Sequence, residues 1–153
     1  MQKKKVVKQK VKKKKLVPIL TLKRKLWVLF STFIRLRDCD ATGYCKCCTC
    51  NKEVFWTGPS SANAGHFFTK KGSPALLFEE NDVNAQCRFC NKMQRNAISW
   101  DYFLYMEKKY GRQEIDRLAS LRKVDFKFSR EWLEDKIKFY SEKVELLKQQ
   151  KGL

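Results

Sequence analysis

Apolar residues recur at helical spacing in the last third of the chain. The clearest stripe has steps of 4, 3, 4 and 3 residues, and its members are Leu133, Ile137, Tyr140, Val144 and Leu147. This period predicts an amphipathic helix, which we expect to begin at Ser129 as its N-cap. Because the stripe covers barely two heptads, an intramolecular packing face is favoured over a coiled-coil seam.

Shorter patterns predict three further helices. Residues 26–38 predict a short helix that docks on the body of the protein. Ser99 predicts the start of another, and Gly111 its end. The buried residues expected on that helix are Trp100, Phe103 and Leu104. A short helix over residues 114–121 completes residues 99–153, which we interpret as a helical C-terminal region without obvious chemistry.

The charge of the protein is concentrated at its N-terminus. The 153 residues include 34 Lys and Arg against 16 Asp and Glu, a formal net charge of +18, and residues 1–37 hold 14 of the basic residues and no acidic one. So one-sided an arm, assigned to residues 1–25, indicates phosphate contact more than a solubilising tail. A membrane- or RNA-associated basic protein is a weaker alternative, and no apolar run approaches the ~20 residues that cross a bilayer.

We expect basic residues from the arm, from the helix after it and from the middle of the chain to bind DNA. They are Lys12, Lys13, Lys14, Lys15, Lys23, Arg24, Lys25, Arg35, Arg37, Lys70 and Lys71.

Two C-x-x-C pairs dominate the middle of the chain. Cys47 and Cys50 form the first, and Cys87 and Cys90 form the second. Four thiolates from two such knuckles are typical of a closed structural zinc site, which is favoured over a redox dithiol or unrelated buried cysteines. Cys45 and Cys48 offer an overlapping first pair, but we prefer Cys47/Cys50 because that knuckle leads directly into a predicted strand.

The 36 residues between the two knuckles carry the candidate chemistry. His66, the single histidine, follows a glycine on a predicted strand, and Asn91 and Asn96 follow the second knuckle about a helical turn apart. This combination suits phosphodiester hydrolysis, in which a neutral imidazole deprotonates water beside a divalent cation, Mg²⁺ or Mn²⁺, bound by oxygen ligands. The structural alternative is that Asn91 only caps a helix.

At these residues the chain resembles two nested families. The general one is the HNH nucleases of the ββα-metal fold, and the closer one is the lambdoid phage NinG (Rap) recombination proteins, a family of branched-DNA endonucleases. The landmarks that carry the resemblance run in order through FIRLRD at 33–38, CCTC at 47–50, AGHF at 64–67, LFEENDVNAQC at 77–87 and CN at 90–91. The resemblance covers about residues 27 to 148.

The resemblance implies an α+β fold: a zinc-stapled ββα-metal (HNH-like) nuclease module over residues 26–98, between the basic N-terminal arm and the helical C-terminal region. It implies zinc at the four cysteines, a general base at His66, and a catalytic divalent ion at Asn91 and Asn96. Two catalytic positions depart from the pattern, since Asp82 replaces an asparagine and Asn84 replaces a histidine. We expect Asp82 to orient His66 by accepting a hydrogen bond from it.

These observations predict a metal-dependent endonuclease that acts on branched DNA recombination intermediates, such as D-loops or Holliday junctions. The alternative is a catalytically weak or inactive zinc-stapled nucleic-acid-binding protein that assists recombination. Symmetric cutting of a four-way junction would favour a homodimer. We expect a cytoplasmic, nucleoid-associated protein of a bacterial or phage-infected cell.

Overall fold

A long helix opens the part of the chain that the computed structural model describes, which is residues 16–93 and 98–153. This helix, α1, spans Ile19–Asp38 and follows Pro18, whose fixed backbone angle suits a helix start. It begins inside the segment assigned to the basic arm instead of at residue 26. The reason is that Leu22 is buried together with Leu26, and the basic residues between them are good helix formers.

Two small antiparallel sheets follow α1. Strands β1 (Tyr44–Lys46) and β2 (Glu53–Phe55) form the first sheet, and β3 (Asn63–His66) and β4 (Val83–Gln86) form the second. In the second sheet His66 pairs with Val83, and Gly65 pairs with Asn84. The first sheet carries the first cysteine knuckle between its strands.

Helix α2 (Arg88–Met93) comes directly after β4 and contains Cys90. The second sheet and this helix therefore run β3, β4, α2 along the chain. Two 3₁₀ turns, Pro74–Leu76 and Glu80–Asp82, lie in the connection between β3 and β4.

Three helices form the C-terminal region: α3 (Trp100–Tyr110), α4 (Arg112–Leu121) and α5 (Arg130–Lys151). The predicted caps of α3 and α5 are confirmed, because the Ser99 hydroxyl accepts a hydrogen bond from the amide of Tyr102 at 3.2 Å and the Ser129 hydroxyl accepts one from the amide of Trp132 at 3.1 Å.

The predicted buried face of α3 is wrong for two of its three residues, since only Phe103 packs, half-buried, against the inner cluster. Trp100 is 69% exposed and Leu104 is 44% exposed, whereas Tyr102 and Met106 are fully buried. The Tyr102 hydroxyl donates a 2.8 Å hydrogen bond to the carbonyl of Gly65 on β3. This hydrogen bond fixes the rotation of the helix. The face that carries Tyr102 and Met106 packs inward, instead of the most apolar face.

The hairpin β3–β4 lies between two clusters of buried side chains. On one side α1 and α5 pack against each other and against Val83 and Ala85 of β4. On the other side α3 and α4 pack against Phe67 and Phe68, directly after β3. The architecture is thus a mixed α/β fold, and no helix in the described ranges has the length and apolarity to cross a bilayer.

Candidate active site

The four cysteines of the predicted knuckles come together in space. The sulfur atoms of Cys47, Cys50, Cys87 and Cys90 all lie within 4.8 Å of one another, and those of Cys50 and Cys87 are 3.8 Å apart. A tetrahedral zinc site with bonds of 2.3 Å places its sulfurs about 3.8 Å apart. The cluster could therefore hold a structural metal ion such as zinc.

Local turns aim these sulfurs at one point. In the first knuckle the amide of Asn51 donates to the carbonyl of Cys47 at 2.9 Å, and Asn51 takes a left-handed backbone angle (φ 58°) that reverses the chain. In the second knuckle the amide of Cys90 points to the sulfur of Cys87 at 3.4 Å, at the start of α2. Each knuckle is thus a tight turn that presents two thiols.

The overlapping pair Cys45 and Cys48 lies outside this cluster. The Cys45 thiol donates to the carbonyl of Arg35 at 3.4 Å, and burial raises the pKa of Cys45 to about 12. Cys48 is buried with the α3–α4 side chains, in the other packing cluster of the protein. The geometry therefore favours the Cys47/Cys50 register.

His66 ends strand β3 with a defined tautomer. Its Nε2 lies 3.3 Å from the carbonyl oxygen of Leu77, and since a carbonyl only accepts, Nε2 carries the proton and Nδ1 the lone pair. The ring stacks on Trp27 of α1 at a centroid distance of 5.4 Å and an interplanar angle of 13°. Burial, with a smaller contribution from the charge of Lys70, lowers the pKa of His66 to about 4. The imidazole is therefore neutral at physiological pH.

An open cleft of about 330 Å³ lies beside Trp27, the ring that stacks on His66, and His66 itself does not line it. Trp27 and Ala64, two residues before His66 on β3, line the cleft. Its polar lining consists of Ser31, Arg35, Ser61, Asn63 and Asn91. The predicted metal-side residue Asn91 thus shares a cleft with the ring that stacks on His66, whereas Asn96 lies outside the described residues.

Asp82 does not orient His66 as we predicted. It is fully buried, and its Oδ1 accepts a 2.9 Å hydrogen bond from the amide of Phe68. This contact staples the start of the β3–β4 connection to its end. Oδ2 has no hydrogen-bond partner within the described chain, and burial raises the pKa of Asp82 well above its ordinary value.

Asn84 is also misplaced by our prediction, because it lies on the opposite side of the hairpin from His66. Its Nδ2 donates to the Tyr102 hydroxyl at 3.2 Å. Its Oδ1 accepts from Lys109 at 2.9 Å and from the Tyr110 hydroxyl at 2.9 Å. The side chain is fully buried in this network, which gives it a structural role and no access to the cleft.

The basic residues predicted to bind DNA divide into two groups. Arg37 turns inward, where it pairs with Asp38 at 2.8 Å and donates to the carbonyls of Glu80 and Val83, so its donors are used within the fold. Arg35 also bonds internally, to the carbonyl of Trp56 at 3.0 Å, but it lines the cleft.

The remaining basic residues stay on the surface or outside the described chain. Arg24, Lys25, Lys70 and Lys71 are exposed, and Lys23 is half-buried. Lys12, Lys13, Lys14 and Lys15 lie outside the described residues.

Two residues of this site escaped the sequence analysis. Trp27 was placed in a docking helix without a role, and Asn63 was not singled out. The position of Trp27, beside the buried Leu26 on the edge of the α1 stripe, is the signal that predicts a half-exposed ring. For Asn63 the only signal is its place on the strand that carries His66.

Comparisons with known proteins point to one family. A family model described as Bacteriophage Lambda NinG protein matches residues 1–150. The chain is 28% identical over 90 residues to proteins named Protein ninG from Escherichia phage 933W and Escherichia phage lambda. These alignments cover 59% of this chain and 40% of each relative, so the chain spans well under half the length of the curated relatives it matches. No solved structure matches the chain.

Proposed function

Since this chain belongs to the NinG family, we propose that it is a metal-dependent DNA endonuclease in which His66 is the general base. The observation that carries the proposal is the contact of His66 Nε2 with the Leu77 carbonyl, which favours the tautomer with the proton on Nε2. The histidine ends a strand of a cysteine-braced hairpin, with Nε2–H held by the Leu77 carbonyl and with the lone pair of Nδ1 unused within the described residues. The order β3, β4, α2 supports placing residues 26–98 among the HNH-like, ββα-metal folds.

The lowered pKa of His66 keeps the imidazole unprotonated, the form in which a general base begins, and also makes it a weaker base than an ordinary histidine. With a pKa of about 4, nearly every molecule at pH 7 has a neutral imidazole ready to take the proton of a water. Stacking on Trp27 fixes the plane of the ring, and the Leu77 carbonyl stabilises the imidazolium that forms. Both contacts orient Nδ1 without competing for its lone pair.

The cleft beside His66 offers oxygen donors of the type that Mg²⁺ and Mn²⁺ accept. Asn63 and Asn91 contribute carboxamide oxygens, and Ser31 and Ser61 contribute hydroxyls. When bound, a divalent ion would polarise the scissile phosphate and stabilise the leaving oxygen. Arg35, at the wall of the same cleft, supplies a fixed positive charge for the phosphate.

The substrate we propose is branched DNA, such as a D-loop or a Holliday junction. The excess of basic residues at the N-terminus supports a polyanionic substrate held through its phosphates. Preference for branches rests on the family resemblance. In this proposal a zinc ion bound by the four cysteines braces the hairpin and takes no part in the reaction.

The test is cleavage of a labelled four-way junction in Mg²⁺ or Mn²⁺ by the wild type and by His66→Ala. We expect cutting by the wild type and a loss of about 10²-fold to 10⁴-fold in the variant, the usual contribution of a general base. Equal zinc content and equal thermal stability of the two proteins are the control for folding.

Junction binding without cutting by either protein would instead support the alternative function, a nucleic-acid-binding protein with an inactive site. Two observations favour that alternative as the second candidate: Asn84 points away from the cleft, and Asp82 does not contact His66.

A further inference from the structure

We propose that a row of aromatic rings leading away from His66 binds unpaired nucleotides of the DNA. This inference rests on the proposed function, because it names the part of a branched substrate that the site recognises. We call the row the aromatic strip, and its members are Trp27, Phe78, Phe126, Phe128 and Trp132.

The aromatic strip is continuous from the candidate base outward. Trp27, which stacks on His66, lies 6.4 Å from Phe78 between ring centroids. Phe78 lies 5.5 Å from Phe128, and Phe128 lies 4.9 Å from Phe126. Trp132 contacts both Phe126 and Phe128, at 5.5 and 5.2 Å. A strand that stacks on the outer rings would therefore be led toward the cleft.

The rings of the strip are half-buried, unlike the rings of the core beside them. Phe30 and Tyr140, which seal α1 against α5, are 0% and 2% exposed. Phe126 and Phe128 belong instead to an irregular segment between α4 and α5, and each keeps part of its surface in solvent. No lysine lies over the Phe126 ring among the described cation–π contacts, so its exposed part is the surface on which a base would stack first.

Lysine side chains lie over two of these rings, and their charges form no ion pair among the described residues. The ammonium group of Lys23 lies 4.3 Å from the centre of the Phe128 ring, and that of Lys70 lies 4.5 Å from the centre of the Trp27 ring. Among the described ion pairs neither lysine has a carboxylate partner. Within residues 122–130 one acid, Asp125, stands against four basic residues.

Partly exposed rings with mobile lysine side chains over two of them suit unpaired nucleotides better than duplex DNA. Every base has a face that can stack on an aromatic ring, and each stacked base contributes about 1–3 kcal/mol by alanine substitution. In a duplex those faces are already stacked on their neighbours, whereas phosphates are available in both forms. The aromatic strip therefore adds affinity only where nucleotides are unpaired, as in the displaced strand of a D-loop.

The test is fluorescence anisotropy of the full chain with a labelled 15-nucleotide oligo-dT and with a 15-base-pair duplex. No divalent ion is added, so that nothing is cut. For Phe126→Ala we expect the Kd for oligo-dT to rise about 5-fold to 100-fold, with the duplex Kd changed less than about 2-fold. Phe128→Leu keeps apolar bulk but removes the π face, and it should show the same selectivity if Phe126→Ala folds poorly.

Trp100→Ala is the matched control, because Trp100 is a 69% exposed aromatic residue outside the aromatic strip. It should leave both Kd values unchanged. Equal losses for oligo-dT and duplex in the strip variants, no loss at all, or tighter wild-type binding to oligo-U than to oligo-dT would each overturn the inference. Because this assay needs no cutting, an inactive His66 site with selective oligo-dT binding would refute the proposed nuclease and leave the strip standing.

Discussion

The two faces of the β3–β4 hairpin carry polar side chains with different roles. Toward α1 lies His66, which is half-buried and whose Nδ1 has no hydrogen bond among the described residues. Trp27, which stacks on it, lines the cleft. Toward α3 lies Asn84, fully buried and hydrogen-bonded to tyrosine and lysine side chains. Both residues are polar, but they occupy neighbouring positions of the register: His66 pairs with Val83, and Gly65 pairs with Asn84. Strand alternation therefore decides which polar side chain is available for chemistry and which is structural.

The two faces also differ in their polar contacts. On the Asn84 side, Asp38, Arg37 and Lys109 satisfy one another within the fold. On the His66 side, the ring is held by the Leu77 carbonyl and by stacking on Trp27. A residue held by several hydrogen bonds is more costly to replace than one held by a single hydrogen bond and a stacked ring.

The largest effect should come from the cysteine cluster. We expect Cys47→Ser or Cys90→Ser to lose the bound zinc and to unfold the central module, because structural zinc sites contribute about 10–16 kcal/mol in small metal-dependent domains. Zinc content by elemental analysis, together with circular dichroism, measures both effects. Cys45→Ser is the matched control: it changes a buried cysteine outside the cluster and should retain zinc. One zinc per chain in both cluster variants would contradict the ligand assignment.

The next effect separates the two faces directly. Asn84→Ala leaves the donors of Lys109, Tyr110 and Arg37 without their shared acceptor, so we expect the free energy of unfolding to fall by about 2–4 kcal/mol. His66→Ala should cost less than about 1 kcal/mol, because it removes a half-buried ring that one hydrogen bond holds. Urea unfolding of both variants gives the comparison. Equal losses would mean that His66 is structural as well.

Much of the fold could be predicted because its signals are local. The closing helix, its Ser129 cap and the strand that carries His66 each follow from spacing within a few residues. The four cysteines come from two C-x-x-C pairs, each of which is a local pattern. Where the prediction was wrong, a distant partner decided the outcome. Tyr102, not Trp100, is buried on α3, because Tyr102 finds the carbonyl of Gly65 across the core.

The residue types of the candidate site could be predicted from the sequence, but not the face of the β3–β4 hairpin on which each side chain lies. Asp82 and Asn84 were grouped with His66 because they occupy the positions at which the family pattern has an asparagine and a histidine. Nothing local tells that Asp82 bonds the Phe68 amide, or that Asn84 pairs with Gly65 and so points away. A one-residue change of register inverts the faces of a strand, and the register is fixed by packing on both sides.

The half-buried Asp38 and the fully buried Asp82 should show opposite dependence on pH. Although burial alone would raise it, Arg37 and Lys109 hold the pKa of Asp38 below its ordinary value, so Asp38 adds stability that is lost as the pH falls into the acid range. Burial raises the pKa of Asp82, so the folded state keeps a proton that the unfolded state releases, and stability falls as the pH rises above the ordinary value.

Urea unfolding between pH 2 and pH 7 measures these slopes, which are at most about 1.4 kcal/mol per pH unit for one proton. Relative to the wild type, Asp38→Asn should lose a stability that increases with pH, and Asp82→Asn should lose one that decreases with pH. Parallel curves for wild type and Asp82→Asn would show that this carboxyl is not buried as a neutral group.

The smallest effect concerns the ring that covers His66. Trp27→Ala exposes the imidazole to water, so its pKa should move from about 4 toward the ordinary value of 6.5. A base must be unprotonated, and at pH 5.5 a histidine with the ordinary pKa is about nine-tenths protonated. The ratio of junction cleavage at pH 5.5 to that at pH 7.5, at saturating DNA, should therefore fall about 10-fold in the variant and stay near one in the wild type.

Using the ratio removes any loss of DNA binding that the missing indole causes. Leu104→Ala, which changes a 44% exposed residue on α3, controls for general effects of pH on the protein. An unchanged ratio in Trp27→Ala would mean that the indole does not shield the base, and the two faces of the hairpin would then differ only in what they hydrogen-bond.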